Sequence, residues 1–204
     1  MAFYIEHEFT AQGHTVECLL KMYRDLSNFD DIEYSDCIPV IVFTAFSIES
    51  YLNAVGFRVA DFWSSVERKS WKSKVEILHS LAGKEPNWGV EPLGYAKEIF
   101  KLRDKFAHGK PETKSLGPFQ THSEASDHYQ EINVDPEWIL KLNKKWLVNS
   151  KSKFLDVMEY FRGLHDLPEN DHLLTEKTEV IEKKPKSDTH FYIYEKSKSQ
   201  VSDS

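Results

Sequence analysis

Apolar residues recur along most of the chain at intervals of three and four, while strict alternation is scarce, so the spacing predicts helices. Between 15 and 29, Val16, Leu19, Leu20, Tyr23 and Leu26 form one stripe. After a break at "NFDDIEYSD", Ser35 or Asp36 is placed to cap a second helix, with Pro39 in its first turn, where a missing N–H costs nothing. That helix runs to about Phe57 and is apolar over most of its surface, which marks it as the central one. A third is expected from Asp61 or Ser65, carrying Val66, Trp71, Val75, Leu78 and Leu81. A fourth occupies Glu91 to Ala107, with Leu93, Ile99, Leu102 and Phe106 inward.

Residues 110–135 mix Gly, Pro, Ser and His without periodicity and predict a long loop, a length that inside a compact domain marks function or mobility. The last helix starts at "DPEW", with Asp135 as cap and Pro136 at its first position, and continues to about Leu164. From Pro168 the chain turns polar and charged, as flexible tails do, except for the β-prone "HFYIY" (His190 to Tyr194). The expectation is an all-α bundle of about five helices over residues 1–167, with a polar, flexible tail over 168–204.

Composition narrows the function. The 204 residues carry 26 Lys plus Arg against 33 Asp plus Glu, a net charge of −7, so nucleic-acid binding requires a local basic patch. Cys18 and Cys37 are far apart with neither CxxC nor zinc spacing, which fits reduced thiols in a cytoplasmic protein. "MAFYIEHEFTAQ" lacks a basic region followed by an apolar run, so no signal peptide is expected. The most apolar window, "IPVIVFTAF", is about half the length of a membrane span and reads as a buried helix, not a membrane segment.

Candidate chemistry concentrates in "KLRDKFAHGKP", residues 101–111. At about 100° per residue, Arg103 and His108 lie about 140° apart around a helix and do not share a face. Asp104 and His108 are at i and i+4, where a carboxylate can orient an imidazole and favour its protonated form. A His in a last turn followed by Gly and Pro is also ordinary helix-stop chemistry. Local charge tips the balance toward function. From Lys101 to Lys114 there are five basic residues (Lys101, Arg103, Lys105, Lys110, Lys114) against Asp104 and Glu112, a basic focus on an acidic body.

"LRDKFAHGKP", an Arg, four residues and a His near the end of a bundle helix, resembles the motif of the HEPN superfamily (higher eukaryotes and prokaryotes nucleotide-binding domain). "FTAFSIESYLNAVG" resembles that family's second helix, with Glu49 at its acidic position and Asn53 one turn on, and "KSWKSKVEILHSLAG" resembles its third. The likeness spans roughly residues 5 to 165. It implies a HEPN-like bundle and a metal-independent endoribonuclease, often a toxin or antiphage factor with a protein antitoxin. Some members are inactive nucleotide-, RNA- or protein-binding modules instead. It also implies a homodimer that brings two Arg and two His to one site, with Arg103 and His108 catalytic, Asp104, Glu49 and Asn53 supporting, and Lys101, Lys105 and Lys110 on the RNA phosphates. Glu49, on an apolar helix, needs a partner; Arg103 or a neighbour is the expected one, and a Glu that ties two helices together is as open a reading as a catalytic role. Some toxin members have a Tyr two residues after the His, a target of adenylylation; here Lys110 stands there, which argues against that control.

Other constellations point nowhere specific. "THSEASDH" (His122, Glu124, Asp127, His128) and "HDLPENDH" match no metal-ligand spacing. Trp63, Trp71, Trp88, Trp138 and Trp146 can stack bases, but helical spacing first suggests core. No phosphate-binding Gly loop or nucleophile motif occurs, so no metal and no cofactor is expected.

Overall fold

A computed structural model describes residues 2–131 and 135–183. The chain divides into a helical unit, 9–175, and a small ribbon formed by 2–8 with 176–183. Helices α1 (Ala11–Ser27), α2 (Tyr34–Val59), α3 (Trp71–Leu81), α4 (Leu93–His108), α5 (His122–Glu131), α6 (Glu137–Leu140) and α7 (Lys144–Leu164) build the first, and strands β1 (Ala2–Phe9) and β2 (Glu176–Lys183) pair in the second. The all-α class therefore holds for the body of the chain, with a two-stranded ribbon the sequence pattern did not predict. Within the ribbon the His7 Nδ1 lies 2.7 Å from the Thr178 hydroxyl, and Phe3, Ile5 and Val180 are exposed. The "HFYIY" segment lies outside the described residues.

Helix α2 is central: α1, α3, α4 and α7 all pack on it. Its apolar surface explains this, since Val40, Ile41, Ile48, Tyr51, Leu52 and Val55 are all buried. By length and composition α2 could cross a membrane, with mean hydropathy 1.5, but half of that window is buried against the other helices. Its start is set by Asp36, whose Oδ2 accepts the Glu33 N–H at 3.0 Å, half of a capping box. Pro39 lies one turn further in than expected, inside the helix, so the Ser35 carbonyl loses its helical donor.

Three other boundaries differ from the pattern, each for a tertiary reason. α1 starts at Ala11 because Thr10 donates to the Leu174 carbonyl (2.7 Å) and Gln12 to the Asp171 carbonyl (2.8 Å). Gly13 admits that close approach, for a Cβ there would meet the Leu174 oxygen at 2.6 Å. α3 starts at Trp71, not near Asp61 or Ser65: a 3-10 turn, Trp63–Ser65, intervenes, and Ser70 caps α3 by accepting the Ser73 N–H at 3.2 Å. The predicted single helix from "DPEW" to Leu164 is broken after Leu140. Leu142 turns inward against Cys37, Ile41 and Leu102, and Asn143 restarts the chain by capping Trp146 N–H at 3.1 Å.

The loop expected over 110–135 contains α5, and the tail expected from 168 begins too early. Asp171 and His172 are buried, and Arg58 pairs with the Asp171 carboxylate. Residues 168–175 thus belong to the helical unit.

Between α1, α2, α4 and α7 the core holds a hydroxyl cluster. Tyr23 and Tyr95 reach the Ser150 hydroxyl at 2.8 and 2.5 Å, and Tyr23 reaches Thr44 at 3.3 Å. Mutual bonding satisfies polar groups that burial would otherwise make costly. Burial raises both tyrosine pKa values. Cys18 is exposed and Cys37 buried; both are free, and burial lifts the Cys37 thiol to about 11.

Candidate functional site

The end of α4 forms one wall of an open cleft of about 780 Å³. Helical spacing does the positioning: Lys97, Lys101 and Lys105 recur every four residues, with Asp104 and His108 on the same side. Gly109, in the left-handed region at φ 53°, ends the helix, and its N–H bonds the Lys105 carbonyl at 3.1 Å. The turn delivers Lys110 and Glu112 to the rim. Trp71 and Lys72 at the start of α3, and Pro136 and Trp138 around α6, complete the walls. Five lysines face two carboxylates there, so the cleft is basic on a chain of net −7.

Aromatic contacts fix the walls. Trp71 stacks on Phe100 at 4.2 Å and 6°, and meets Trp88 edge-on at 5.5 Å. Trp138 meets Phe106 edge-on at 5.3 Å, and the Lys105 ammonium lies 4.8 Å from its ring centre. Glu112 accepts from Lys105 and, at 3.2 Å, from the Trp138 indole N–H. The Lys105 bond, then the indole bond, hold its carboxyl below the ordinary range.

The expected site residues are only partly gathered. Lys101, Lys105, Lys110, Asp104 and His108 line the cleft; Arg103, Glu49 and Asn53 do not. The Arg103 Nε lies 3.0 Å from the Asp104 carboxylate, at an angle that makes this a charge contact and leaves the buried Nε without a hydrogen bond. Its guanidinium lies 5.3 Å from the Phe100 ring centre. The expected Asp104–His108 contact does not form; Asp104 lies against the Arg103 guanidinium instead. His108 is exposed at the helix end.

Glu49 pairs with Lys74, at 2.9 Å, and not with Arg103. Asn53 accepts the Trp63 indole N–H at 3.3 Å and so secures the 3-10 turn after α2. Lys72, Lys97 and Glu112 belong to the cleft and were not singled out from sequence, although the Lys97–Lys101–Lys105 spacing was there to be read. On α5, Glu124 accepts the Gln120 N–H at 2.9 Å and His128 packs on Phe119 at 5.1 Å. Among the described residues no three His, Cys, Asp or Glu side chains gather as a metal site.

Comparison with protein-family models, with curated proteins and with solved structures found no match for this chain. The class that stands on fold and site is an all-α protein with a lysine-lined, tryptophan-walled cleft at the end of one core-packed helix.

Proposed function

We propose that this chain is a HEPN-type, metal-independent endoribonuclease that acts as a homodimer in the cytoplasm, in a toxin–antitoxin or antiphage setting. The observation that carries the reading is His108 at the rim of a cleft where five lysines outnumber two carboxylates. Lysines supply the charge a phosphate backbone needs, and Trp71 and Trp138 supply aromatic walls suited to unpaired bases.

Cleavage needs a base for the 2′-OH proton and an acid for the leaving 5′-oxygen. One protomer brings one imidazole to its cleft, so a second copy, related by a two-fold axis, supplies the other. Attack of the 2′-oxygen on phosphorus expels the 5′-oxygen and leaves a 2′,3′-cyclic phosphate and a 5′-hydroxyl. Arg103, which does not line its own cleft, serves the partner's and neutralises the developing phosphorane charge.

A second reading, an RNA-binding HEPN-like module without catalysis, draws on the Arg103 guanidinium being held by Asp104 and Phe100. One experiment separates the two. Wild type and His108→Ala are incubated with a mixed RNA pool in EDTA, and cut ends are tested for cyclic phosphate. Cutting that His108→Ala abolishes, in a folded dimer, supports the nuclease; RNA retention without cutting by either supports the module.

A further inference from the structure

Glu112 sits between two donors from separate elements. Lys105 of α4 binds its Oε1, and the indole N–H of Trp138 in α6 binds its Oε2 at 3.2 Å. Trp138 is held by packing that does not involve Glu112: it rests edge-on against Phe106, and both join the cluster around Cys37, Ile41, Leu102 and Leu142, while the Lys105 ammonium lies over the Trp138 ring. Lys105 and Trp138 also line a second cleft of about 330 Å³, beside Lys101 and Lys141. The bridge to Glu112 therefore stands on a wall shared by the lysine-lined cleft and a second one in which Lys101, Lys105 and Lys141 face Glu98 and Glu137.

An ammonium and an N–H aimed at the two oxygens of one monoanion also suit the two non-bridging oxygens of a phosphodiester. Glu112 is half exposed, with a side-chain accessibility of 46%, and it comes from the segment after α4 rather than from a packed helix. Its removal leaves Trp138 packed on Phe106 and Lys105 over the Trp138 ring. The lowered carboxyl keeps it anionic at neutral pH.

We infer that Lys105 and Trp138 form a phosphate cradle for single-stranded RNA, and that Glu112 is a built-in occupant which an RNA phosphodiester displaces to bind. This rests on the RNA reading above and adds a regulation to it: RNA entry is opposed by a carboxylate of the protein itself. RNA is favoured over other anions because the cleft combines five lysines with Trp71 and Trp138, the pairing of cationic and aromatic side chains that single-strand binding grooves use.

The test measures binding by fluorescence anisotropy, in EDTA, of a labelled single-stranded RNA carrying 2′-O-methyl groups, which cannot be cut. Wild type, Glu112→Gln, Glu112→Ala, and each combined with Trp138→Phe are compared, with thermal unfolding as the check on folding. Glu112→Gln and Glu112→Ala are expected to bind about two- to fivefold tighter than wild type, the scale of one removed surface charge contact. Trp138→Phe, which keeps the ring and removes the N–H, is expected to reduce that gain. Folded Glu112 variants that bind no tighter than wild type overturn the cradle, even where wild type cuts unmodified RNA. Tighter binding by the Glu112 variants with no cutting of unmodified RNA keeps the cradle and sinks the nuclease. Absence of binding by every variant overturns both.

Discussion

The Lys74 ammonium lies 2.9 Å from the Glu49 carboxylate, and while Lys74 is almost fully enclosed at 1% exposure, Glu49 keeps 35%. The pair ties α3 to α2 on the flank of the central helix. Its asymmetry decides what mutation does: the carboxylate can find water when its partner goes, the ammonium cannot. Glu49→Ala is expected to cost about 3–5 kcal/mol, because it strands the enclosed Lys74 ammonium without a counter-charge. Lys74→Met is expected to cost less, and Lys74→Met with Glu49→Gln to recover most of the loss. Urea unfolding of the three variants checks this, and a Glu49→Ala protein as stable as wild type would remove the pair from the account of stability.

Gly56 is the point on α2 where the Trp63 ring lies flush. A Cβ at Gly56 would come within 2.0 Å of ring carbons of a tryptophan that is fully buried. Neither the helix backbone nor the enclosed indole can yield by that distance without unpacking the turn that Asn53 secures. Gly56→Ala is expected to destabilise the protein by about 1–3 kcal/mol or more, despite the higher helix propensity of Ala. Thermal unfolding against wild type reads it directly. An unchanged midpoint would mean that Trp63 is not seated there.

Three histidines give stability a dependence on mild acid. Burial lowers the pKa of His79, His165 and His172; the Val75 carbonyl opposes the shift at His79, the Leu78 carbonyl and Asp166 at His165, and Asp171 and Glu159 at His172. The His79 Nδ1 faces the Val75 carbonyl at 2.7 Å, so Nδ1 carries the proton and Nε2 accepts from the Tyr160 hydroxyl at 2.6 Å. Each folded-state value lies below the unfolded value of about 6.5, so the unfolded chain binds more protons between the two. Their stabilisation is complete above about pH 6.5 and is lost as pH falls through the lowered values. The lowered carboxyls of Glu112 and Glu159 act only below their ordinary 4.5, so the interval above pH 5 isolates the histidines. Urea midpoints should fall between about pH 7 and pH 5, and less steeply in His79→Gln. A flat profile over that interval would contradict the assignment.

The helices were legible where one apolar stripe decides the outcome. Val16, Leu19 and Tyr23 are buried in α1 at the spacing their positions announce, and α4 buries Leu93, Ile99 and Leu102. What was not legible depends on contacts distant in sequence. The start of α1 is fixed by carbonyls at Asp171 and Leu174, and the break before α7 by Leu142 reaching Cys37 and Leu102. The site shows the same division. The basic stretch from Lys101 to Lys110 was visible in sequence, but Lys72, Trp71 and Trp138 reach it from other helices. Glu49 offered no local clue to Lys74, because two acceptors on one helix do not say which cation packs beside them.

The Lys97–Lys101–Lys105 row makes a quantitative demand on RNA binding. If these ammonium groups neutralise backbone phosphates, each contact releases counterions, and affinity for a single strand falls with salt at about 0.7 in log–log slope per contact. Lys97→Ala and Lys101→Ala should therefore each weaken binding across RNA sequences and flatten the slope by about 0.7. Lys105→Ala should do more than flatten it, since Lys105 also lies over Trp138 and holds Glu112. Lys151→Ala, an exposed lysine on α7 outside the cleft, is the control and should change the slope little. Binding isotherms from low to near-physiological salt on uncleavable RNA decide the matter. Slopes unchanged in Lys97→Ala and Lys101→Ala would place the RNA on another surface, and with it would fall the reading of His108 as the residue that meets the scissile phosphate.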